Sequence, residues 1–452
     1  MDSKISLSTF DSMPVSKAVF KNVIPAIVSM LMVLVYNLAD TFFIGLTRDD
    51  LQVAAVSLAT HVFMIFMTFG TLFGIGGTSV ISRAFGAGQD DYVKKVSSFC
   101  LWSSVVIGIA IPLLAAIFMD DLLPVLGASA DTWTPTKNYL SIILLSGPFM
   151  LVAGCFSSIL RSEGQATKAM TGMLIGNITN VVLDPIMILG LGWGVVGAAI
   201  ATVIGSIVGA AYYIVYFLRI NSKLSINLRD FSIGDRVALN VFAIGFPASL
   251  GPMFMSLSQM TMNRLMAGFD DLAIAAAGVA AKSIMIIYMV SIGFSQGIMP
   301  LLGYCVGAKN WPRYTAILRF SVMSSTVICI AMTGLCYLSN EMIIGAFLTE
   351  DVSFDYGVRF AKILLSTAFM SGAFFSMVSA IQAMGASVPA LILNVCRQGV
   401  IYIPALFALR AIAGEYGLIW AQPVSDILSL ILAVVLHAFA FRNWKNTNVK
   451  AS

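Results

Sequence analysis

Formal charge is scarce in this chain, and histidine is scarcer. Lysine, arginine, aspartate and glutamate make up 11% of its 452 residues, and there are two histidines. Soluble domains carry roughly 25% charged residues, so a water-soluble globular protein is excluded. The six cysteines (Cys100, Cys155, Cys305, Cys329, Cys336 and Cys396) form no C-x-x-C pair. That removes the patterns of a zinc site or a disulfide framework. The glycine-rich "FGIGGTS" (Phe73 to Ser79) has no lysine at phosphate-loop spacing, so it reads as close helix packing through small residues rather than a nucleotide site. No Walker motif and no Ser-His-Asp arrangement is present. The chain is therefore read as a non-enzyme with no cofactor, no nucleotide and no nucleic-acid partner. Any transport draws on an ion gradient or on the substrate's own gradient.

What the chain has is apolar length. Hydrophobic residues make up 59% of it, and mean hydropathy is +0.92. Several runs exceed the ~18 residues that mark a transmembrane helix. Splitting at charges and turn residues gives twelve segments: 19–45, 53–82, 96–119, 138–160, 169–190, 193–218, 237–263, 272–304, 316–338, 359–382, 388–409 and 415–441. The polar stretch Met1 to Asn22 lacks a cleavable signal pattern, so the first helix is expected to act as an uncleaved signal anchor. With both termini in the cytoplasm, eighteen Lys and Arg fall on the inner side and six on the outer. The positive-inside rule selects that orientation. The outer loops are acidic, with Asp49, Asp50, Asp120, Asp121, Asp270, Asp271, Glu350 and Asp351.

The chain also repeats itself. "RAFGAGQDDY" after the second span matches "GYCVGAKNWPRY" after the eighth, and Gly86-Ala87 aligns with Gly307-Ala308. The same offset puts Gly164 on Gly385, while Pro25 and Pro247 fall near equivalent places. The expected fold is an all-α membrane protein of twelve transmembrane helices in two pseudo-symmetric six-helix lobes, residues 1–225 and 226–452. The polar stretch Asn221 to Arg236 joins them. Six helices per half start both halves on the same side, so the halves are related by an axis along the membrane normal. Such bundles suggest alternating access.

Away from the span ends, formal charge inside the spans is limited to Asp40, Asp184, Lys282, Arg397 and Asp426. A charge at that depth costs about 2.5–3.5 kcal/mol on the insertion scale, so each is a functional candidate. Asn177, Asn180 and Asp184 share one helix face by their spacing, and Pro185 bends that helix. Asp184 lies about 24 Å outward of Lys168, and Asp40 about 28 Å outward of Lys21, at ~1.5 Å per residue. Thr202, in the returning sixth span, falls at a similar level. Two carboxylates with amide and hydroxyl neighbours in low dielectric make a proton-binding or monovalent-cation site. Desolvation and mutual repulsion favour retention of a proton, and sodium can use the same oxygens. This reading is preferred over carboxylates that only tie helices together. Arg397 and Asp426, at mid-depth on antiparallel neighbours, are expected to pair structurally. Lys282 aligns near His61 and is expected to line a cavity or find another partner. His437 reads as interfacial rather than as a ligand.

The motifs "YNLADTFFIG", "RAFGAGQ", "LRSEGQ", "NVVLDPIMILG" and "GAKNWPRY", in this order and setting, resemble the multidrug and toxic compound extrusion (MATE) family over nearly the whole chain. The resemblance implies two six-helix lobes around a V-shaped cavity in the plasma membrane (the inner membrane of a bacterium). It implies efflux of varied, often cationic drugs, coupled to inward flow of protons or sodium. It puts the ion-coupling site on Asp40, Asn180, Asp184 and Thr202. Tyr36, Asn37, Asn177, Gln259, Asn263 and Lys282 are the expected substrate-cavity residues. Another branch of the family carries acids in spans seven and ten. Here those spans offer Gln259, Asn263, Ser376 and Gln382 and no acid, which moves the expectation to the first lobe. The alternative is a lipid-linked saccharide flippase of the same superfamily.

Overall fold

The computed structural model describes residues 10–47, 49–219, 222–269, 271–348 and 350–449. The first nine residues of the polar stretch Met1 to Asn22, the orienting charges Lys4, Arg48, Asp270 and Lys450, and linker residue Asn221 lie outside the described residues. So do the side chains of Asp50, Asp271 and Lys445.

The spanning helices are numbered α1 to α12. They are α1 (Val15–Gly45), α2 (Asp50–Gly86), α3 (Asp90–Ile117), α4 (Trp133–Ser162), α5 (Ala166–Gly190), α6 (Gly194–Arg219), α7 (Val237–Met266), α8 (Asp271–Gly307) and α9 (Trp311–Leu338). α10 is a bent pair, Asp351–Ala368 and Met370–Ala383, with 44° between its parts. A continuous run from Ser387 to Trp444 contains the last two spans. At about 1.5 Å per residue it is far too long to cross once. Non-helical torsions at Ala413 and Gly414 divide it into α11 (387–412) and α12 (415–449). Ten helices pass the length and apolarity test for a span, and the bent pair makes an eleventh. The division at Ala413-Gly414 gives the twelve expected.

Local chemistry marks several ends. The Asp49 carboxylate caps α2 by accepting from the backbone N–H of Leu51 (3.1 Å) and Gln52 (3.3 Å). Asn310 caps α9 through Arg313 N–H at 3.1 Å. These bonds meet donors that the first helical turn leaves free. The backbone also records the repeat. Positive φ recurs at Gly88 and Lys309, at Gly164 and Gly385, and at Gly194 and Gly414. The offset is 221 residues for the first two pairs and 220 for the last.

The helices form two contact-defined units, and these are not the halves expected from a cut at 225/226. Unit 1 holds Leu31–Gly245, and unit 2 holds Ser12–Met30 together with the chain from Phe246. α1 and α7 are each divided between units. The reason is backbone approach at glycine. In unit 2, a Cβ at Gly293 or Gly297 of α8 would meet the Cα of Ile27 or Val23 of α1 at 2.7 and 2.6 Å. The Arg313 guanidinium donates to Met13 O at 2.7 Å. In unit 1, Gly76 of α2 faces Val241 of α7, and Gly245 faces Leu72. Phe242 rings with Phe73 and Phe99.

The linker lies on unit 1. Ser97 accepts from Ser225 N–H at 2.9 Å, Ser98 donates to Asn227 O at 2.8 Å, and Trp102 Nε1 donates to Ile226 O at 3.2 Å. Lys223 pairs with Asp90 at 2.8 Å and Lys95 with Asp235 at 2.5 Å. Glu163, just past α4, is buried and accepts from Ser222 Oγ and Lys223 N–H, each at 2.8 Å. Burial pushes the Glu163 carboxyl up, and its hydrogen bonds oppose this only in part. A group raised on docking binds its proton more tightly when docked, so docking weakens as pH rises through its folded value. Linker cleavage by a protease should therefore accelerate across that rise, and Glu163→Ala should be cleaved fastest at every pH. Glu163→Gln should lose the pH slope. Timed gel analysis of the purified chain measures all three.

Candidate functional site

The site is built at one helix crossing. α5 and α6 meet glycine to glycine: a Cβ at Gly205 would lie 2.7 Å from Gly176 O and 3.0 Å from Asn180 Cβ. The missing side chains bring the polar residues of the next turn together. Asn180 Nδ2 donates to Thr202 Oγ1 at 3.2 Å, and both residues are buried. One turn further along α5 stands Asp184, at 0% exposure. Pro185 follows it, and the chain then continues as a π-helix from Ile186 to Gly190. Pro185 supplies no backbone N–H, and π turns recur at functional positions.

The C-terminal part of α1 supplies the remaining groups. The Tyr36 hydroxyl interacts with the Thr202 side chain and lies within electrostatic reach of Asp40 and Asp184. Asp40 and Asp184 are within electrostatic reach of one another. A further residue, Tyr139 of α4, joins them. It is buried and interacts with Asp40, Asp184 and Tyr36. Sequence reasoning missed it, because a single tyrosine in "TKNYLSII" has no spacing relation to the acids. Its one signal was a phenol among aliphatic residues.

The decisive feature is the state of the polar atoms. Asp40 Oδ1, Asn180 Oδ1 and both carboxylate oxygens of Asp184 are buried without a hydrogen-bond donor, and Asn177 Nδ2 is buried without an acceptor. Each such group costs roughly 1–3 kcal/mol, and more if charged. Four acceptor oxygens that lack donors form the coordination chemistry of a proton or a hard monovalent cation. The residues present thus fit such an ion.

The other expected residues stand apart from this cluster. Asn37 is exposed and donates to Val33 O of its own helix at 2.9 Å. Gln259 and Asn263 bond to each other at 3.0 Å on the exposed side of α7 in unit 2. Lys282 is exposed, with its ammonium 5.2 Å from the Phe347 ring centre. His437 packs between Tyr314 and Phe441 and shares a 3.0 Å hydrogen bond with the Tyr314 hydroxyl. A cleft of about 320 Å³ near Leu113, Ile117, Lys137 and Leu145 contains none of the candidate residues.

Arg397 and Asp426 of unit 2 do pair, at 3.1 Å, and both are buried. Here every need is met. Asp426 also accepts from Gln422 at 2.9 Å, Tyr288 at 3.1 Å and Thr367 at 3.4 Å. The guanidinium lies 4.7–5.2 Å from the ring centres of Phe374, Phe375 and Tyr288. The open cluster and the closed pair are chemically opposite. Removing the fully buried, unpaired carboxylate of the open cluster should therefore stabilise the protein. Asp184→Asn is expected to raise the unfolding temperature in detergent at alkaline pH by several degrees and to flatten its dependence on pH and sodium. Thr202→Val, which strands the Asn180 amide, should lower it. Intrinsic tryptophan fluorescence on heating tests both.

The family model described as MatE matches twice, over residues 25–186 and 247–407. The two matches fall on the two sequence repeats. The chain is 30% identical over 427 residues to the multidrug export protein MepA of Staphylococcus aureus (strain MRSA252), covering 94% of each chain. It is 30% identical over 436 residues to MepA of Staphylococcus haemolyticus (strain JCSC1435), covering 96% of this chain and 95% of that one. Among solved structures, a MATE protein in its straight conformation superposes with a TM-score of 0.92 at 23% identity, over 98% of this chain and 99% of that one. An outward-facing multidrug resistance MATE family transporter gives 0.91 at 23%, over 96% and 97%. These structures establish the shared twelve-helix fold, and the double family match with the relatives assigns the chain: it is an integral membrane transporter of the MATE family, not an enzyme.

Proposed function

We propose that the chain is a cation-coupled multidrug efflux antiporter of the plasma membrane, with both termini in the cytoplasm. It exports organic, often cationic compounds in exchange for protons by alternating access, and sodium can use the same oxygens. The observation that carries this reading is the set of four donorless buried oxygens on Asp40, Asn180 and Asp184. A structural carboxylate pair would be satisfied by protein donors, as Asp426 is. The names of the MepA relatives support export of multiple drugs.

In the outward-facing state a proton enters and neutralises the Asp40/Asp184 cluster. Neutralisation removes the repulsion between the two acids and supplies a hydroxyl donor for an orphaned acceptor. The packing of α5 about Pro185 and its π segment then changes, as does that of α1, whose outer part carries Asp40 and whose inner part carries Pro25. The drug leaves outward. In the inward-facing state the proton passes to the cytoplasm, and the cavity reloads. Tyr36, Asn37 and Asn177 on the first unit, and Gln259, Asn263 and Lys282 on the second, are the polar groups proposed to meet the drug. The flippase alternative needs several free basic groups for a pyrophosphate. Of the two mid-span cations, Arg397 is already paired with Asp426, which leaves Lys282.

The test is release of a fluorescent cationic dye from proteoliposomes under a pH jump and, separately, a sodium jump. Wild type should respond to protons, and Asp184→Asn and Asp40→Asn should lose at least about tenfold in rate, the scale of ~1.4 kcal/mol on the transport barrier. A response to sodium alone would keep the site and change the ion. Unchanged export by both variants, at equal incorporation, would exclude this site as the coupling site.

A further inference from the structure

The two units can be compared position by position at the crossing that builds the candidate site. Gly176 of α5 corresponds to Arg397 of α11 at the 221-residue offset. Gly205 and Ser206 of α6 correspond to Ser425 and Asp426 of α12 at the 220-residue offset, with Gly194 and Gly414 as the shared positive-φ mark. The backbones agree with this alignment. A Cβ at Gly205 would touch Gly176 O, and in unit 2 the Ser425 hydroxyl donates to Arg397 O at 2.5 Å. Thr202, which receives the Asn180 amide, corresponds to Gln422, which donates to Asp426.

The Arg397–Asp426 pair therefore occupies, in unit 2, the helix crossing that carries the open oxygen cluster in unit 1, with Arg397 at the position of Gly176, one to two turns before those of Asn180 and Asp184. α5 and α11 each carry a π segment, at positions that do not match: Ile186–Gly190 follows Asp184, and Cys396–Val400 contains Arg397. The surroundings of Asp426 are those of a cation site. A carboxylate, the Tyr288 and Thr367 hydroxyls and the Gln422 amide converge there. Aromatic faces close the cationic side. The ionisable groups facing Asp426 are Arg397, Tyr288 and Tyr402.

We propose that Arg397 is a tethered cation that permanently fills a second ion site on Asp426, at the helix crossing that corresponds to the one carrying the open site of unit 1. Unit 2 then exchanges no ion, and coupling runs through unit 1 alone. Removing the guanidinium uncovers a site that takes a proton or a small monovalent cation. The consequence for coupling rests on the antiport reading above, whereas the masked site does not, and the experiment reads the masked site without transport.

The experiment follows unfolding of the purified full-length chain in detergent, from about pH 5 to about pH 8, with sodium or choline chloride. The variants are Arg397→Gln, Arg397→Lys, and Arg397→Gln combined with Asp426→Asn. Relative to wild type, Arg397→Gln should lose several degrees at the alkaline end and regain them at the acid end. Recovery on sodium addition at alkaline pH, absent with choline, would identify sodium as a second occupant. Recovery with acid alone would identify the proton. Arg397→Lys, which keeps a cation, should follow the wild-type profile in shape. The double variant should also follow it, because no bare carboxylate remains. If Arg397→Gln yields no folded protein while the double variant does, the bare carboxylate is the cause and the proposal stands. If single and double variants lose stability equally, with the wild-type pH and sodium dependence, Arg397 acts by packing only and the proposal is overturned.

Discussion

Hydrocarbon offers no water, so each polar atom placed in it needs a protein partner or an exchangeable one. The two units answer that constraint differently. Unit 2 satisfies its carboxylate internally through Arg397, Gln422, Tyr288 and Thr367. It also pairs the hydroxyls of Ser291 with Ser371 and of Ser295 with Ser379 across α8 and α10. Unit 1 leaves oxygens of Asp40, Asn180 and Asp184 without donors. Duplication supplies the same frame twice, and among the described residues its intraspan carboxylate is paired in unit 2 and lacks donors in unit 1.

Small residues decide how that frame closes. Gly176 and Gly205 let α5 and α6 approach backbone to backbone, which brings Asn180 onto Thr202. A side chain at either position would separate the helices and with them the site. Glycine acts again at Gly293 and Gly297, and at Gly76 and Gly245, where it seats the N-terminal parts of α1 and α7. In lipid, where apolar burial does not favour one helix partner over another, such close packing is a main source of specificity.

The division of α1 bears on mechanism. Its residues from Leu31 onward, Asp40 included, belong to unit 1, while Ser12–Met30, Pro25 included, belongs to unit 2. Under the antiport reading, a change of charge at Asp40 acts on a helix whose other end is part of the other unit. A continuous helix transmits displacement along its axis more directly than a loop does. The linker, strapped to unit 1 by Glu163, Ser97, Ser98 and Trp102, gives no comparable freedom at its start.

Local periodicity and chain length determined much of this protein without any tertiary information. The twelve spans follow from apolar run length. Asn177, Asn180 and Asp184 share a face because a helix repeats every ~3.6 residues. The level of Thr202, and the pairing of Arg397 with Asp426, follow from counting residues along antiparallel neighbours. Tyr139 could not be read this way, because its relation to Asp40 and Asp184 runs between helices with no fixed spacing. Nor could the division of α1 and α7, since their sequences are apolar throughout and mark no change of partner. Tertiary structure alone decided which carboxylate oxygens lack donors and which helix halves belong together. Both depend on how closely two distant backbones approach, and that distance is set at glycines whose partners lie far away in the chain.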